Sequence, residues 1–473
     1  MPLPTLRPYQ QRDLDRVRIA MREYRSPLLV EPTGAGKGTL ASFIVHGATG
    51  KGKRCLFLVN RRILVHDMSR RLDRLGIDHG IIMGDDPRRR AWLPTHVASI
   101  DTLQRRDSAP PADLIIVDEA HFAVSPTWIK VLALYPNAKV LLMTATPIRL
   151  DGRGLEEIAD VMILGPSVQE LIDQGYLVPA TVFAPSSAPN LAGVKKSAGD
   201  FNQKALASAC DKTKLVGDIV AHWKRHASER KTAVFGVDQA HARHIQEEFN
   251  AAGIECAYVD AETSDAERDK VWNDLDNGSL RIVSSVGVIS YGWDHPIVSC
   301  VVLARPTTSV ALHLQQIGRG SRPAPGKTNL LVLDHAGNTH RHGLYEDPRE
   351  WSLTGRALQD KDKDDGPAIC TCLKCRCIFR RGPERCPFCG AAIPVQARKV
   401  EVVDGELQEF KRAQTAERWR KLDIPQRRTM YERWVALGRA RGYKPTWAKV
   451  TYSRIFGVWP DHDLKQEKME AIG

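Results

Sequence analysis

Long apolar runs are absent from this sequence of 473 residues. No stretch approaches the roughly 20 apolar residues that a membrane-spanning helix needs, and the opening MPLPTLRPYQQRD lacks the apolar core of a secretory signal. No internal repeat is evident in the sequence. We therefore expect a soluble, cytoplasmic protein with no membrane partner.

A disulfide framework is absent as well. Six of the ten cysteines lie in the short segment between Cys370 and Cys389. The other four are scattered along the chain, at Cys55, Cys210, Cys256 and Cys300. Clustering of this kind in an intracellular protein indicates a metal site and not a set of disulfide bonds.

Acidic residues are fewer than basic ones, 56 against 68, which gives a formal net charge of +12. Such a balance favours a polyanionic partner, and nucleic acid is the usual one. A basic but inert surface is the alternative, since charge alone does not exclude it. The hydrophobic fraction of 42% is enough to bury real cores, and the length suggests three or four domains of roughly 100–200 residues.

Short apolar runs alternate with helical patterns in two stretches of the chain. The first stretch predicts strands at Leu28–Val30, Cys55–Val59, Leu114–Val117 and Val140–Met143, with a helix at Ile63–Leu75. The second predicts strands at Thr232–Phe235, Arg281–Ser284, Cys300–Leu303 and Leu330–Leu333, with helices at Gln239–Ala252 and Ala266–Leu275. Alternation of this sort gives a parallel sheet covered on both faces, so we predict two tandem α/β domains.

A candidate phosphate-binding loop, EPTGAGKGTL, lies between the first predicted strand and a helical pattern. In this context a Gly-rich loop aims backbone N–H groups at phosphate oxygens, and Lys37 reaches the β- and γ-phosphates. A plain surface turn is the weaker interpretation. The predicted nucleotide-binding residues of the loop are Thr33, Gly34, Ala35, Gly36, Lys37, Gly38 and Thr39.

Gly38 departs from the usual pattern, in which Ser or Thr follows the lysine and holds Mg²⁺. Thr39 comes next, but at 3.6 residues per turn it points about 100° away from that position. Either Mg²⁺ is held without the hydroxyl, or the backbone shifts to present Thr39. Weak hydrolysis of the nucleotide is one consequence of the first alternative.

A second nucleotide motif is LIIVDEAHF, an apolar strand that ends in two acids and a histidine. Asp118 is placed to hold Mg²⁺, and Glu119 to polarise the attacking water as a general base. His121 is placed to link the nucleotide site to the neighbouring domain. Acids at a strand end often only cap the next helix, but the phosphate-binding loop at the expected separation makes that interpretation the weaker one.

The sequence Asp-Glu-Ala-His resembles the signature of DEAH-type superfamily 2 helicases, and further motifs of that family follow in order over residues 1–345. LRPYQ resembles the adenine-recognition motif, which implies roles for Arg7 and Gln10. MTATPIRLD resembles the motif that couples hydrolysis to domain movement, through Thr144 and Thr146. The resemblance implies two RecA-like domains and an ATP-dependent nucleic-acid motor that uses Mg²⁺.

LQQIGRGSRP resembles the arginine-finger motif of the same family, with Gln315, Arg319 and Arg322 at the matching offsets. Phosphoryl transfer needs positive charge at the transition state, and the two arginines share one face if the segment is helical. They belong to the second predicted domain and Lys37 to the first, so ATP is expected in the cleft between domains. Nucleotide binding and hydrolysis would then close and open that cleft. A solvated basic turn would not account for Gln315.

Three further segments resemble family motifs, and two of these, LFLVNRRILVHD and SIDTLQR, resemble motifs that lie near the nucleic-acid strand. The resemblance implies strand contacts from Arg61, Arg62 and Thr102. Such contacts are mostly to phosphate, so we expect sequence-independent, salt-sensitive binding. The third segment, VSSVGVISYGWDHP, is a further candidate for nucleic-acid contact, and the resemblance also implies nucleotide-site roles for its Gly292 and Asp294.

The segment CTCLKCRCIFRRGPERCPFCG holds two Cys-x2-Cys pairs separated by ten residues. The predicted metal ligands are Cys372, Cys375, Cys386 and Cys389. Thiolates at this spacing close a tetrahedral Zn²⁺ site, and four cysteines leave no open position for catalysis, so a structural zinc is expected. An Fe–S cluster or a redox pair fits the spacing less well. The arginines of this ribbon suggest either an auxiliary nucleic-acid contact or a packing module.

The tail from residue 401 onward interleaves Arg and Lys with Trp and Tyr. We expect most of these aromatics to form the core of a small helical bundle with a basic outer face. Together with the ribbon before it, the tail resembles those of RadD-like and phage-encoded bacterial helicases. These features favour DNA over RNA and an ATPase that unwinds or remodels DNA in repair, recombination or phage replication. A duplex translocase without strand separation and an ATP-gated clamp with weak hydrolysis are the alternatives.

The predicted domains follow from these patterns. Their ranges are 1–165 and 205–347 for the RecA-like domains, 166–204 for a connector, 348–366 for a charged linker, 367–395 for the zinc ribbon and 396–473 for a basic helical region. ATP, Mg²⁺ and Zn²⁺ are the expected cofactors.

Overall fold

The structure, a computed structural model, divides into two compact units, Met1–Val395 and Gln396–Gly473. It describes residues 5–106, 109–149, 152–185, 196–197, 200–202, 206, 213–287, 295–355, 369–393, 422–440, 446–456 and 458–464.

The first sheet of the larger unit has seven parallel strands. They are β1 Pro27–Val30, β2 Cys55–Val59, β3 Gly80–Ile82, β4 Thr95–Ser99, β5 Leu114–Val117, β6 Lys139–Thr144 and β7 Val161–Leu164. Their order across the sheet is β3-β4-β2-β5-β6-β1-β7. The helices of this part are α1 Pro8–Glu23, α2 Lys37–Thr49, α3 Arg62–Arg74, α4 Ile100–Leu103 and α5 Pro126–Ala133. Hydrophobic clusters cover both faces of the sheet, because its central strands are apolar throughout.

The second sheet has eight strands, six parallel and two antiparallel. They are β8 Ala180–Phe183, β11 Thr232–Phe235, β12 Cys256–Val259, β13 Ile282–Ser285, β14 Cys300–Leu303, β15 Leu330–Asp334, β16 Ile369–Thr371 and β17 Cys377–Arg380, in the order β12-β13-β11-β14-β15-β8-β17-β16. A separate short hairpin is formed by β9 Lys196–Ser197 and β10 Asp200–Phe201. The helices are α6 Val168–Asp173, α7 Thr213–His226, α8 Gln239–Ala251, α9 Asp265–Asn277, α10 Val310–Gly320 and α11 Asn338–His342. The predicted pair of parallel-sheet α/β domains is confirmed.

The segment 166–204, predicted as a connector, contributes α6 and β8 to the folded body. Strand β8 runs parallel to β15, with Ala180 opposite Leu330 and Phe183 opposite Leu333. Only the second half of β8 is fully buried, and its sequence, ATVF, has no long apolar run that would predict a strand.

The cysteine-rich hairpin β16–β17 extends the second sheet beyond β8. Strand β17 pairs antiparallel with β8, with Cys377 opposite Phe183 and Ile378 opposite Val182. The ribbon is therefore continuous with the second sheet through backbone hydrogen bonds.

After the second sheet the chain returns to the first. The backbone carbonyl of Leu353 accepts hydrogen bonds from Leu155 N at 2.7 Å and Glu156 N at 3.2 Å. Trp351 packs against hydrophobic clusters of both sheets. The structure describes the predicted linker as far as residue 355. Its residues 351–355 form a strap that holds the second domain against the first.

The smaller unit contains three described helices, α12 Ile424–Ala440, α13 Trp447–Phe456 and α14 Pro460–Asp463. Tyr452 is fully buried, with its ring centroid 5.5 Å from that of Tyr431 and 4.6 Å from that of Phe456. These aromatic side chains form the core of the unit, in keeping with the sequence pattern. Among all the described helices, none has the length and apolar character needed to cross a membrane.

The close packing of the strap against Gly154 leads to a prediction about stability. A Cβ atom at this position would lie 1.7 Å from the Leu353 carbonyl oxygen, so Gly154→Ala forces the strap away from the first domain. We expect the free energy of unfolding to fall by about 1–3 kcal/mol, measured by chemical denaturation. The matched control is Gly47→Ala in α2, where a Cβ meets no atom within 4 Å and alanine is the better helix former. Equal stability of the two variants would contradict the close packing of the strap.

Candidate nucleotide site and metal centre

The phosphate-binding loop joins β1 to α2. Gly34 and Gly36 both have left-handed backbone conformations, with φ of +90° and +95°. A Cβ on Gly36 would lie 2.5 Å from Gln10 Nε2, so only glycine fits there. The helix begins at Lys37, and its first backbone N–H groups point out of the helix, as an anion site requires.

A cavity of about 390 Å³ opens over this loop. The predicted site residues that line it are Arg7, Gln10, Thr33, Gly34, Gly36, Lys37, Gly38, Thr39, Asp118, Glu119, Arg319 and Arg322. Residues from both domains therefore meet at one cavity. The predicted residues Ala35, His121 and Gln315 lie outside its lining.

Lys37 is held beside the loop by backbone carbonyls. Its Nζ donates to Glu31 O at 3.0 Å and to Pro32 O at 3.4 Å. Asp118 follows strand β5 and also lines the cavity, and burial together with the neighbouring Glu119 carboxylate raises its pKa above the ordinary aspartate value. A bound cation would relieve this penalty, so Asp118 suits an ion-binding role.

Glu119 has a left-handed backbone conformation, with φ of +51°, which is unfavourable for a residue with a side chain. Its carboxylate lies 3.5 Å from His121 Nδ1. The conformation turns the chain sharply out of β5, so that Asp118 and Glu119 both face the cavity.

His121 lies behind the cavity and contacts β6. Its Nδ1 is 3.0 Å from the Thr144 hydroxyl, which donates to Thr146 O at 3.1 Å. With that hydroxyl proton on Thr146 O, the arrangement fits the tautomer in which His121 Nδ1 carries the proton and donates to Thr144. Burial lowers the pKa of His121 to about 4, so the ring is neutral at pH 7. A continuous chain of contacts thus runs from Glu119 to Thr146.

The other end of the cavity is lined by aromatic and amide side chains. Gln10 accepts a hydrogen bond from Arg7 N at 3.0 Å and donates to Ala35 O at 3.2 Å. Arg7 stacks over the ring of Tyr176, 4.5 Å from its centroid. Gln10 therefore holds the phosphate-binding loop in place, and Arg7 covers one face of the Tyr176 ring.

Helix α10 brings the second domain to the cavity. Arg319 and Arg322 line it, and burial together with nearby Arg71 lowers the pKa of Arg322 to about 10. Gln315 lies on the same helix but is 1% exposed, and among the described residues its side-chain amide has no hydrogen-bond partner. The structure therefore brings the two arginines, but not Gln315, to the nucleotide cavity.

The loop and α10 are in direct contact. A Cβ on Gly318 would lie 2.6 Å from Thr33 Cβ, and one on Gly34 would lie 3.3 Å from Arg322 Cγ. The Tyr345 hydroxyl, fully buried, lies 3.3 Å from Thr33 O and from Ser321 Oγ. Glycines on both sides let the two domains come into direct contact at these positions.

Asp67, Arg71 and Tyr176 are among the cavity-lining residues that the sequence analysis did not predict as site residues. Asp67 and Arg71 lie one turn apart on α3 and form an ion pair of 3.0 Å. Their i, i+4 spacing was a visible signal for the pair, but not for its place beside the loop.

The residues predicted to contact nucleic acid lie just after the ends of strands β2 and β4. Arg61 and Arg62 stand at the start of α3, and Arg62 is exposed. The Thr102 hydroxyl accepts a hydrogen bond from Gly84 N at 3.1 Å. Gly292 and Asp294 lie outside the described residues.

The four predicted metal ligands converge. Their sulfur atoms lie within 4.8 Å of one another, with Cys372–Cys389 at 3.7 Å and Cys375–Cys386 at 3.6 Å. A tetrahedron with metal–sulfur bonds of about 2.3 Å places its sulfurs about 3.8 Å apart, so the set fits zinc.

The two turns of the cluster are alike. Arg376 and Gly390, each one residue after a Cys-x2-Cys pair, have φ of +66° and +68°. The arginines of the ribbon are partly engaged within the protein, since Arg380 pairs with Asp347 at 2.7 Å and Arg381 donates to Ile369 O at 2.9 Å.

The two surplus cysteines lie in strands. Cys370 is in β16 and Cys377 in β17, and neither belongs to the four-sulfur set.

Comparison with known proteins agrees with this architecture. Residues 3–149 match the family described as "Type III restriction enzyme, res subunit", and residues 211–324 match the "Helicase conserved C-terminal domain". The chain is similar to the "51.5 kDa protein" of Lactococcus phage (isolate 7-9), with 29% identity over 78% of this chain and 79% of the phage protein.

It is also similar to a protein of Saccharomyces cerevisiae named as a candidate ATP-dependent helicase, IRC3, with 30% identity over 76% of this chain. The matched region is 55% of the yeast protein, so the chain spans about half the length of that relative. Among solved structures, the fragment of a candidate HsdR subunit of a type I restriction enzyme from Vibrio vulnificus YJ016 has a TM-score of 0.55. At 23% identity, over 72% of this chain and 68% of that one, this likeness shows a shared fold.

The sulfur geometry makes a prediction about metal content. We expect the purified protein to carry a single zinc ion per chain and the Cys386→Ser variant to lose it. Inductively coupled plasma mass spectrometry of both proteins measures the metal content. Cys370→Ser is the matched control, because Cys370 lies in the same ribbon but outside the four-sulfur set, and it should keep the zinc. Iron in place of zinc, or equal loss in both variants, would show that the ligand set is wrong.

Proposed function

Because the chain belongs to the superfamily 2 helicases, whose ATPase motor it carries as two tandem domains, we propose that it couples ATP hydrolysis to movement along DNA and to its unwinding. One observation supports this proposal above the others. Lys37, Asp118 and Glu119 of the first domain face Arg319 and Arg322 of the second across one cavity. A site divided between two domains is complete only when they are closed, which makes nucleotide binding a mechanical event.

The residues have distinct roles in this proposal. In this proposal the Lys37 ammonium gives up its hydrogen bonds to the backbone carbonyls of the loop and binds the β- and γ-phosphates. Arg319 and Arg322 stabilise the charge that develops on the transferred phosphoryl group. Glu119 accepts a proton from the attacking water. Asp118 would hold the Mg²⁺ of the nucleotide, which supplies positive charge to the phosphate oxygens when bound.

The chain of contacts behind the cavity supports a coupling role for motif residues Thr144 and Thr146. A change in the position or charge of the Glu119 carboxylate on hydrolysis would shift His121, whose Nδ1 lies 3.5 Å from Glu119 Oε2. His121 would in turn shift Thr144, whose hydroxyl lies 3.0 Å from the same nitrogen. Because His121 is neutral, it transmits this change by a single oriented hydrogen bond and not by charge.

DNA is the proposed track, in preference to RNA, and the proposed setting is DNA repair, recombination or phage replication in the cytoplasm. The net charge of +12 supports a polyanionic partner. The exposed Arg62 at the start of α3 is a candidate phosphate contact. The proposed zinc is structural, since its four cysteines leave no open ligand position.

An ATP-gated clamp with weak hydrolysis is the second candidate. It is favoured by Gly38, since α2 runs in regular helical conformation from Lys37 and no hydroxyl occupies the usual position. ATP turnover and nucleotide binding, measured as described below, distinguish the clamp from the motor.

The first prediction concerns ATP turnover. We expect steady-state hydrolysis by the full chain to rise with single-stranded or duplex DNA more than with RNA. Lys37→Ala and Glu119→Gln should each lower the rate by roughly 10²–10⁴-fold, because each removes a phosphate-binding or proton-accepting group.

Binding of a fluorescent ATP analogue is measured on the same samples. Glu119→Gln should bind the analogue as tightly as wild type does. Tight binding by the wild type without DNA-stimulated turnover would favour the clamp over the motor.

The second prediction concerns coupling. Thr144→Val keeps the shape of the side chain but removes the acceptor of His121, so strand displacement should fall at least about ten-fold more than ATP hydrolysis does. Thr49→Val is the control, since the Thr49 hydroxyl bonds only to carbonyls at the far end of α2. Equal losses in the two assays would show that Thr144 supports the chemical step alone.

A further inference from the structure

The space beside Gly38 is occupied by an arginine. A Cβ at Gly38 would lie 3.0 Å from Arg71 Nε, 3.3 Å from its Cζ and 3.4 Å from its Cδ. The guanidinium of Arg71 therefore fills the position into which the serine or threonine of a usual phosphate-binding loop would project. Glycine at this point leaves room for it.

Arg71 is held in place by its own helix. Its Nε donates to Asp67 Oδ2 at 3.0 Å, and the side chains of both residues are only about a quarter exposed, at 24% and 29%. Leu64, Asp67 and Arg71 form one stripe of α3, and all three line the nucleotide cavity. A guanidinium has five N–H donors, so it can serve Asp67 and a second acceptor together.

The charges around Arg71 favour an anion. Arg322 of the second domain is close enough that Arg71 lowers its pKa, while Asp67 acts in the opposite direction. Two guanidinium groups beside one cavity repel each other, and the Asp67 carboxylate acts on both of them. A phosphate between the two arginines would replace this repulsion with two charge-assisted hydrogen bonds.

We propose that Arg71 is a phosphate-binding residue of the nucleotide site, positioned by Asp67 in the space that Gly38 leaves open. Its guanidinium donates to a phosphate oxygen of the nucleotide and supplies positive charge where the usual loop supplies a hydroxyl ligand for Mg²⁺. Nucleotide affinity should therefore depend less on Mg²⁺ than it does with a loop that carries the hydroxyl. This inference rests on the proposed nucleotide site.

The test is equilibrium binding of a fluorescent ATP analogue to the full chain, with excess Mg²⁺ and with EDTA. Arg71→Ala should weaken binding by about ten- to a hundred-fold, the range expected for one charged hydrogen bond, with the larger loss in EDTA. Arg74→Ala is the matched control, because Arg74 is an exposed arginine on the same helix and should bind as wild type does. Unchanged affinity in Arg71→Ala would overturn the proposal.

Gly38→Ser provides the reciprocal test. Alone, it should weaken binding, because its Cβ displaces Arg71. Combined with Arg71→Ala, it should restore binding in Mg²⁺ but not in EDTA, since the loop then has its hydroxyl and the space to orient it. An equal effect of Gly38→Ser in the two backgrounds would contradict the competition for one space.

Two controls distinguish a failure of the proposed role of Arg71 from a failure of the proposed nucleotide site. If Lys37→Ala binds the analogue as wild type does, the nucleotide site itself is wrong and both proposals fail. If Lys37→Ala abolishes binding and Arg71→Ala does not, only the role of Arg71 fails. Thermal unfolding of Arg71→Ala within about 2 °C of wild type would show that lost binding is not lost folding.

Discussion

The contact between the phosphate-binding loop and helix α10 is the constraint on which the site depends. Gly34 and Gly318 remove the side chains that would hold the two domains apart, and the Tyr345 hydroxyl lies at the seam. Because the seam is closed, Arg319 and Arg322 stand in the same cavity as Lys37. A separation of the domains by a few ångströms would withdraw both arginines together and leave the first domain with half a site.

The strap limits how the domains can separate. The chain crosses between them before α6 and crosses back through Trp351 to Leu353, which is hydrogen bonded to the backbone of the first domain. Two crossings restrict the opening to a hinge whose axis passes near both, because a free translation would break the strap contacts. In the proposed motor, the cavity over the loop and the buried chain of contacts from Glu119 to Thr146 would respond to the same domain movement. Closure at the arginines and reorientation at Thr144 would then be two results of one rotation.

The central strands were predicted to within one residue at either end because each is an apolar run bounded by turn residues, as at Cys55–Val59 and Thr232–Phe235. The prediction omitted β3, β4, β7, β8 and β12 of the parallel sheets. Strand β3 has only three residues, and THVAS and ATVF lack a continuous apolar run, whereas VMIL of β7 is apolar and was overlooked. The cysteine set was predicted from spacing, and its sulfurs converge. Arg71 was invisible for a different reason: its distance from Gly38 depends on how α3 crosses α2, which local spacing does not encode. Gln315 was placed by motif offset alone, and it is buried outside the cavity lining.

The pairing of β17 with β8 gives the ribbon a second significance. Without the ribbon, β8 would be the outer strand of a long parallel sheet, with a row of unsatisfied N–H and C=O groups available to another chain. If the four cysteines hold zinc as proposed, folding of the ribbon would depend on the ion, and so would the coverage of that edge. Metal supply during synthesis would then bear on whether newly made chains pair through the edge of β8.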